Sequence, residues 1–233
     1  MKFKKEIKEM NTNGFVILDI IKYKNELLNS GLLVENMFQE ALNNTANTSR
    51  FEHFASRPER GSLDLDILPE VESSIKKIIK NSIVSEFAIE YWKTNKLMYS
   101  KDFSKFRYVD PNNLEQLKYA DLHYDAQFLR GKSINVCIPF SGYGGPYPGL
   151  EIYKKSKVVK LIRNTFNESQ AKKYLKLFIK KSEPFAEVGK CLCFTQDTYH
   201  KRSVENKTKT RINLEFRIFP SNNIEFAGNN AEL

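Results

Sequence analysis

From residue 95 onward the chain is written largely in a two-residue period, and this limits its fold more than any other feature. Arg211–Ile218 is the clearest case: Arg211, Asn213, Glu215 and Arg217 alternate with Ile212, Leu214, Phe216 and Ile218. Successive strand side chains point to opposite faces, so this segment is a strand with one polar and one apolar face. Leu122–Leu129 alternates too, and Ile134–Phe140 and Lys190–Phe194 do so less strictly. Lys96–Tyr99 and Phe106–Val109 read as further strands, and the Gly/Pro-rich stretch Ser141–Gly149 reads as a connecting loop.

The first 95 residues follow a different rule. Gly14–Asp19 looks like a short strand, but residues 22–44 carry Tyr23, Leu27, Leu28, Leu32, Leu33, Met37, Phe38 and Leu42 at helical steps. Leu68–Ile79 is a second expected helix, with Pro69 tolerated in its first turn, and Ile83–Trp92 a third. Asn43–Gly61 is polar and reads as loop, and Asn167–Lys181 is a helix candidate inside the strand-rich half. No linker divides the two patterns. We therefore expect one domain over 1–233: residues 1–95 form a mostly helical cover with one short strand, and residues 96–220 form the core. The helices lie on the apolar outer face of a curved sheet, giving a mainly β fold with flanking helices.

Composition removes several classes. No stretch is apolar and long enough to span a bilayer. The basic start is interrupted by Glu6 and Glu9, and the apolar run after it contains Asp19, so no signal peptide is read and a cytoplasmic protein is expected. Cys137, Cys191 and Cys193 are too few, and wrongly spaced, for a disulfide framework or a zinc site. They read as small buried hydrophobes. A net charge of +9 favours an anionic partner, but the lysines are scattered, which argues against a dedicated nucleic-acid surface.

The chain has three histidines, and two of them stand where a metal clip needs them. His123 and Asp125 are two residues apart and project together from an expected strand, with Gln127 next on the same face. His200 follows the apolar run Cys191–Phe194 and a polar turn, a sequence distance suited to neighbouring strands of a barrel. Two histidines and a carboxylate are the facial triad that holds non-haem Fe(II) with open positions. Arg211 follows after a turn and a return strand, and a guanidinium grips a carboxylate through two parallel hydrogen bonds. Taken singly, each residue has an ordinary reading as well. The strands fit a sheet whose polar face meets solvent, His200 a satisfied core or surface histidine, and Arg211 a salt-bridged strand residue.

In order, His123-Tyr124-Asp125, Asn135–Phe140, Gly149-Leu150-Glu151, Gly189–Phe194, His200 and Arg211 resemble the Fe(II)/2-oxoglutarate dioxygenases, most closely the phytanoyl-CoA dioxygenase-like group. The resemblance covers the back half of the chain; the front half matches only as the group's variable helical part. It implies a double-stranded β-helix (jelly-roll, cupin-like) core. It implies Fe(II) on His123, Asp125 and His200, and 2-oxoglutarate with its far carboxylate on Arg211. O2 is the co-reactant, succinate and CO2 are released, and an aliphatic C–H of a small-molecule metabolite, possibly an anionic one, is hydroxylated. Because Asp125 fills the position that related halogenases leave to chloride, hydroxylation is implied over halogenation. Arg202 departs from the group, which often has a small hydroxyl residue two positions after the distal histidine. Arg211-Ile212-Asn213 with Arg217 also resembles an element of the nucleic-acid demethylases of the same superfamily, so a nucleic-acid or protein demethylase or hydroxylase is the second reading. A non-catalytic jelly-roll binding protein is the third. Asn135 either reaches the co-substrate or bonds within the sheet; Gln127 and Arg217 either touch substrate or face solvent. The Ser141–Gly149 loop is either a lid or a plain connector.

Overall fold

The alternating segments pair into two antiparallel layers that face each other across a polar cavity. The computed structural model describes residues 1–43, 51, 54, 60–113, 115, 116, 121–127, 131–203, 206–222 and 229–233. Its strands are β1 (Phe15–Asp19), β2 (Ser62–Asp64), β3 (Leu97–Val109), β4 (Ile134–Pro139), β5 (Gly142–Tyr143) and β6 (Gly149–Tyr153), followed by β7 (Lys181–Ser182), β8 (Ala186–Glu187), β9 (Lys190–Thr195), β10 (His200–Ser203), β11 (Arg211–Pro220) and β12 (Asn230–Glu232). The helices are α1 (Lys4–Asn13), α2 (Lys24–Asn43), α3 (Pro69–Lys80), α4 (Ile83–Trp92), α5 (Lys157–Thr165) and α6 (Glu168–Phe178).

The larger sheet runs β1-β9-β4-β11-β3-β12, with β2 also paired to β3; the facing layer is β10-β6-β7 together with the β5-β8 pair. The outer face of the larger sheet carries Val16, Leu18, Cys191, Cys193, Ile134, Val136, Ile138, Ile212, Leu214, Phe216 and Ile218. These pack with Leu27, Val34 and Phe38 of α2, with Val71, Ile75 and Ile79 of α3, and with Val84 and Phe87 of α4. On the far side, Leu122, Tyr153 and Tyr199 pack with Ile162 of α5 and with Ala171 and Leu175 of α6. The fold is thus a double-stranded β-helix clad by helices on both faces, as expected. No helix among the described residues is long and apolar enough to cross a membrane.

Local chemistry sets the helix ends. Pro69 opens α3, acidic Glu70 and Glu72 lie in its first turn and Lys77 and Lys80 in its last, matching the helix dipole at both ends. Ser156 caps α5 and Asn167 caps α6 by accepting from Val159 N and Gln170 N at 3.2 and 3.0 Å. Gly14 ends α1 at φ 87°, and its carbonyl accepts from Thr198 Oγ1 at 3.0 Å, tying the N-terminal helix to the turn before His200.

Several expectations are corrected. Leu122–Leu129 is not a strand: His123 makes one isolated bridge to His200, and Asp125–Gln127 is a 3-10 turn held by Ala126 N donating to Gln196 O at 2.9 Å. Residues 128 and 129 of that segment, His53 and most of the expected Asn43–Gly61 loop lie outside the described residues. Leu97–Tyr99 and Phe106–Val109 belong to one strand, β3, which Lys96 precedes and whose register against β11 shifts between Glu215 and Arg217. Ser104 Oγ fills that bulge by accepting from Arg217 N at 3.0 Å. The helix expected over Asn167–Lys181 ends at Phe178, and Lys181 starts β7. Ser141–Gly149 is not all loop: it contains β5 and the first residue of β6.

Candidate metal centre and its cavity

The isolated bridge is what places the two histidines. His123 N donates to His200 O at 3.0 Å and His200 N to His123 O at 2.9 Å, so the imidazoles lie side by side with ring centres 4.4 Å apart. Each Nδ1 is engaged by a carbonyl two residues back: Asp121 O for His123 at 2.7 Å and Thr198 O for His200 at 2.9 Å. A carbonyl can only accept, so both Nδ1 atoms carry the proton and both Nε2 lone pairs face inward. The 3-10 turn then brings Asp125 Oδ1 to 3.7 Å from His123 Nε2 and 3.8 Å from His200 Nε2. The ligand atoms of the three residues all lie within 4.8 Å of one another. One ion can bridge them after small side-chain rotations, and the nitrogen, nitrogen, oxygen donor set suits Fe(II) with open positions.

Arg217 fixes the carboxylate. Its Nη2 donates to Asp125 Oδ2 at 2.8 Å, which leaves Oδ1 for a metal. Burial by itself would raise the Asp125 carboxyl, but Arg217, then His200 and His123, outweigh it and hold the group at about 2. Burial lowers His200 against the pull of Asp125, which keeps the ring neutral and able to ligate.

The triad opens on a cavity of about 150 Å3 lined by Arg107, His123, Asp125, Asn135, Leu150, Phe194, His200, Arg202, Arg211, Glu215 and Arg217. The polar face of β11 therefore points inward, not into solvent. Arg211 is 1% exposed, its Nη1 donates to Pro148 O at 3.2 Å, and its guanidinium lies over the Tyr143 ring at 4.6 Å. Arg211 Nε, Arg217 Nε and Nη1, and Asn135 Oδ1 are buried and have no hydrogen-bond partner among the described residues. Such groups are costly to bury unless something bonds them, and donors of this kind fit an anionic, oxygen-rich ligand beside the triad. Glu215 is held ionised against its burial by Arg107, whose Nε donates to Glu215 Oε2 at 2.9 Å, and by Arg211. Burial, Arg211 and Arg107 together pull Arg202 down to about 9.

The fold thus brings together six of the seven residues singled out from sequence. Gln127 lies in the 3-10 turn, and its side chain is outside the described residues. Three polar lining residues carried no assigned role in the sequence reading. Glu215 and Arg202 had a signal, since each stands two strand positions from a site residue, Arg217 and His200 respectively. Arg107 had none, because its place depends on β3 pairing with β11.

The architecture matches the fold of solved structures that include non-haem, alpha ketoglutarate-dependent enzymes. EctD from S. alaskensis, crystallised with bound Fe, superposes with a TM-score of 0.66 over 97% of this chain and 79% of its own, at 10% identity. The epimerase SnoN from nogalamycin biosynthesis gives 0.63 over 94% and 83% at 10% identity, and the carbocyclase SnoK from the same biosynthesis 0.61 over 94% and 84% at 11%. No protein-family model matches the chain, and no curated protein matches it in sequence.

Proposed function

We propose that this chain is an Fe(II)- and 2-oxoglutarate-dependent oxygenase of the phytanoyl-CoA dioxygenase-like type. On this reading it is one catalytic domain over residues 1–233, acts in the cytoplasm and hydroxylates an aliphatic C–H of a small-molecule metabolite. One observation carries the reading: His123 Nε2, His200 Nε2 and Asp125 Oδ1 converge in the same cavity as a buried guanidinium, Arg211, whose Nε has no hydrogen-bond partner among the described residues. The fold neighbours support it. EctD has been crystallised with 2-oxoglutarate and 5-hydroxyectoine, and SnoN with Fe3+, alpha ketoglutarate and nogalamycin RO. These partners are small molecules, which favours the metabolite reading over a nucleic-acid one.

Bound Fe(II), with 2-oxoglutarate and O2, would supply the oxidising chemistry for the hydroxylation, releasing succinate and CO2. The protein's own part is positional. His123 and His200 would present pre-oriented Nε2 atoms to the metal because Asp121 O and Thr198 O bind their Nδ1 protons. Arg217 keeps Asp125 ionised and turns a single oxygen inward. Arg211 would hold the far carboxylate of 2-oxoglutarate, and Asn135 and Arg217 would offer it further buried polar atoms of the same cavity.

The test is spectroscopic. Under anaerobic conditions, Fe(II) plus 2-oxoglutarate should give the weak visible charge-transfer band of a chelate, and His200→Ala should abolish it. A wild-type protein without the band, or a variant that keeps it, rules the proposal out.

A further inference from the structure

Resting on that reading and refining it, we propose that Arg202 is the second arm of a two-guanidinium clamp which, with Arg211, grips the distal carboxylate of the co-substrate and restricts the cavity to dicarboxylates.

Arg202 reaches the cavity by strand geometry. On β10 it lies two positions after His200 and opposite Leu150 of β6, and all three line the same cavity as Arg211. Both guanidiniums are deeply placed, with Arg202 8% and Arg211 1% exposed. Two like charges buried this close together repel and lose hydration, an arrangement a folded chain keeps where an anion offsets it. Among the described residues, the cavity wall carries four guanidiniums (Arg107, Arg202, Arg211, Arg217) against two carboxylates (Asp125, Glu215). A bound metal adds two more positive charges. A dicarboxylate removes two, and its distal end has to meet guanidiniums other than Arg217, which already holds the triad's carboxylate.

Both arms are set in place before any ligand arrives. Arg202 Nη1 donates to Gln116 O, and Gln116 is itself buried, with its Oε1 accepting from Asp110 N at 2.9 Å. Arg211 is fixed by Pro148 O and the Tyr143 ring. Forks fixed in this way lose little freedom on binding a carboxylate, which is where arginine differs from lysine. A cavity of about 150 Å3 has room for one small organic acid and little more.

The experiment compares two 2-oxoacids that differ in the distal carboxylate. The full-length Fe(II)-loaded protein is titrated anaerobically with 2-oxoglutarate and with pyruvate, following the charge-transfer band, for wild type, Arg202→Gln and Arg202→Lys. We expect Arg202→Gln to weaken 2-oxoglutarate at least tenfold while leaving pyruvate within twofold, so that the preference for the dicarboxylate collapses. Arg202→Lys, which keeps the charge but not the fork, should fall between, and it carries the test if the Gln variant does not fold. A preference unchanged in the variant that folds, or equal loss of both acids, overturns the clamp. A wild-type protein that gives no band with 2-oxoglutarate overturns the oxygenase reading itself, so the two failures are distinguishable.

Discussion

Replacing Arg217 by leucine should show how the buried carboxylate of the triad is kept ionised. The Arg217 and Asp125 side chains are 8% and 13% exposed and joined at 2.8 Å, so solvent screens them little. Asp125 is held at about 2, below its ordinary 3.8, which amounts to ~2–3 kcal/mol in favour of the ionised form after burial has been overcome. Arg217 is the largest of the groups lowering it. Without it, burial is opposed only by His200 and His123, the weaker of the groups that lower it, and the carboxyl rises. Breaking a buried pair by removing one partner costs about 3–5 kcal/mol, so the metal-free variant should lose roughly that much at pH 7 in urea unfolding.

The pH dependence gives a second readout with a definite sign. In wild type the folded value is depressed. The stabilisation from Asp125 is therefore complete above the unfolded value and is lost only as pH falls from about 4 toward 2. In Arg217→Leu the folded value is raised, so the penalty is full near pH 7 and shrinks as protons bind on the way down to pH 4. The gap between the two proteins should narrow across that window. A double-mutant cycle with Asp125→Asn should return a coupling on the order of 2 kcal/mol or more. Additive single effects, or a gap that is flat between pH 7 and 4, would refute the reasoning.

Two further outcomes follow from the surroundings of the distal histidine. A Cβ at Gly14 would meet Thr198 Cγ2 at 2.9 Å and Tyr153 O at 3.3 Å, at a φ of 87° that side chains disfavour. Gly14→Ala should therefore cost about 1–3 kcal/mol. Because Thr198 also anchors His200, metal affinity should drop on the order of tenfold, measured by Mn(II) titration; unchanged affinity would show that the turn does not position the ring. His200 is lowered by burial, so the unfolded chain takes up a proton first as pH falls below about 6.5. Metal-free wild type should lose stability as pH falls from 7.5 to 5.5, and His200→Gln should remove that slope; an identical slope in both proteins assigns it elsewhere.

What the sequence made legible is what a side chain's burial writes into it. The apolar face of β11, Ile212 to Ile218, is visible because it meets α2 and α3, and its polar face because it lines a cavity of fixed chemistry. The triad and Arg211 could be read for the same reason: each residue type is dictated by what it has to hold, not by the backbone it sits on. The strand expected over Leu122–Leu129 came from that same signal. Residues two apart project together from a strand and also from a bridge followed by a 3-10 turn, so His123 and Asp125 imply a common side without implying extended backbone. Which of the two forms is decided by Ala126 donating to Gln196, a partner in the turn after β9. Helix α1 was missed because it buries little, with Met10 its one fully buried residue.

The least legible residues are those whose meaning depends on which sheets face each other. Arg202 sits on a four-residue strand, too short to show a period, and Arg107 joins the site only through the pairing of β3 with β11. Read as isolated strand positions, four arginines and Glu215 look like an ordinary solvated surface. Folding turns that surface inward, where Arg211 is almost fully buried and its Nε has no hydrogen-bond partner among the described residues. A chain gains nothing in stability from such an interior, since burying charge costs more than burying hydrocarbon. The arrangement is therefore best explained by a ligand that completes it, and the direction of the charge imbalance identifies that ligand as an anion.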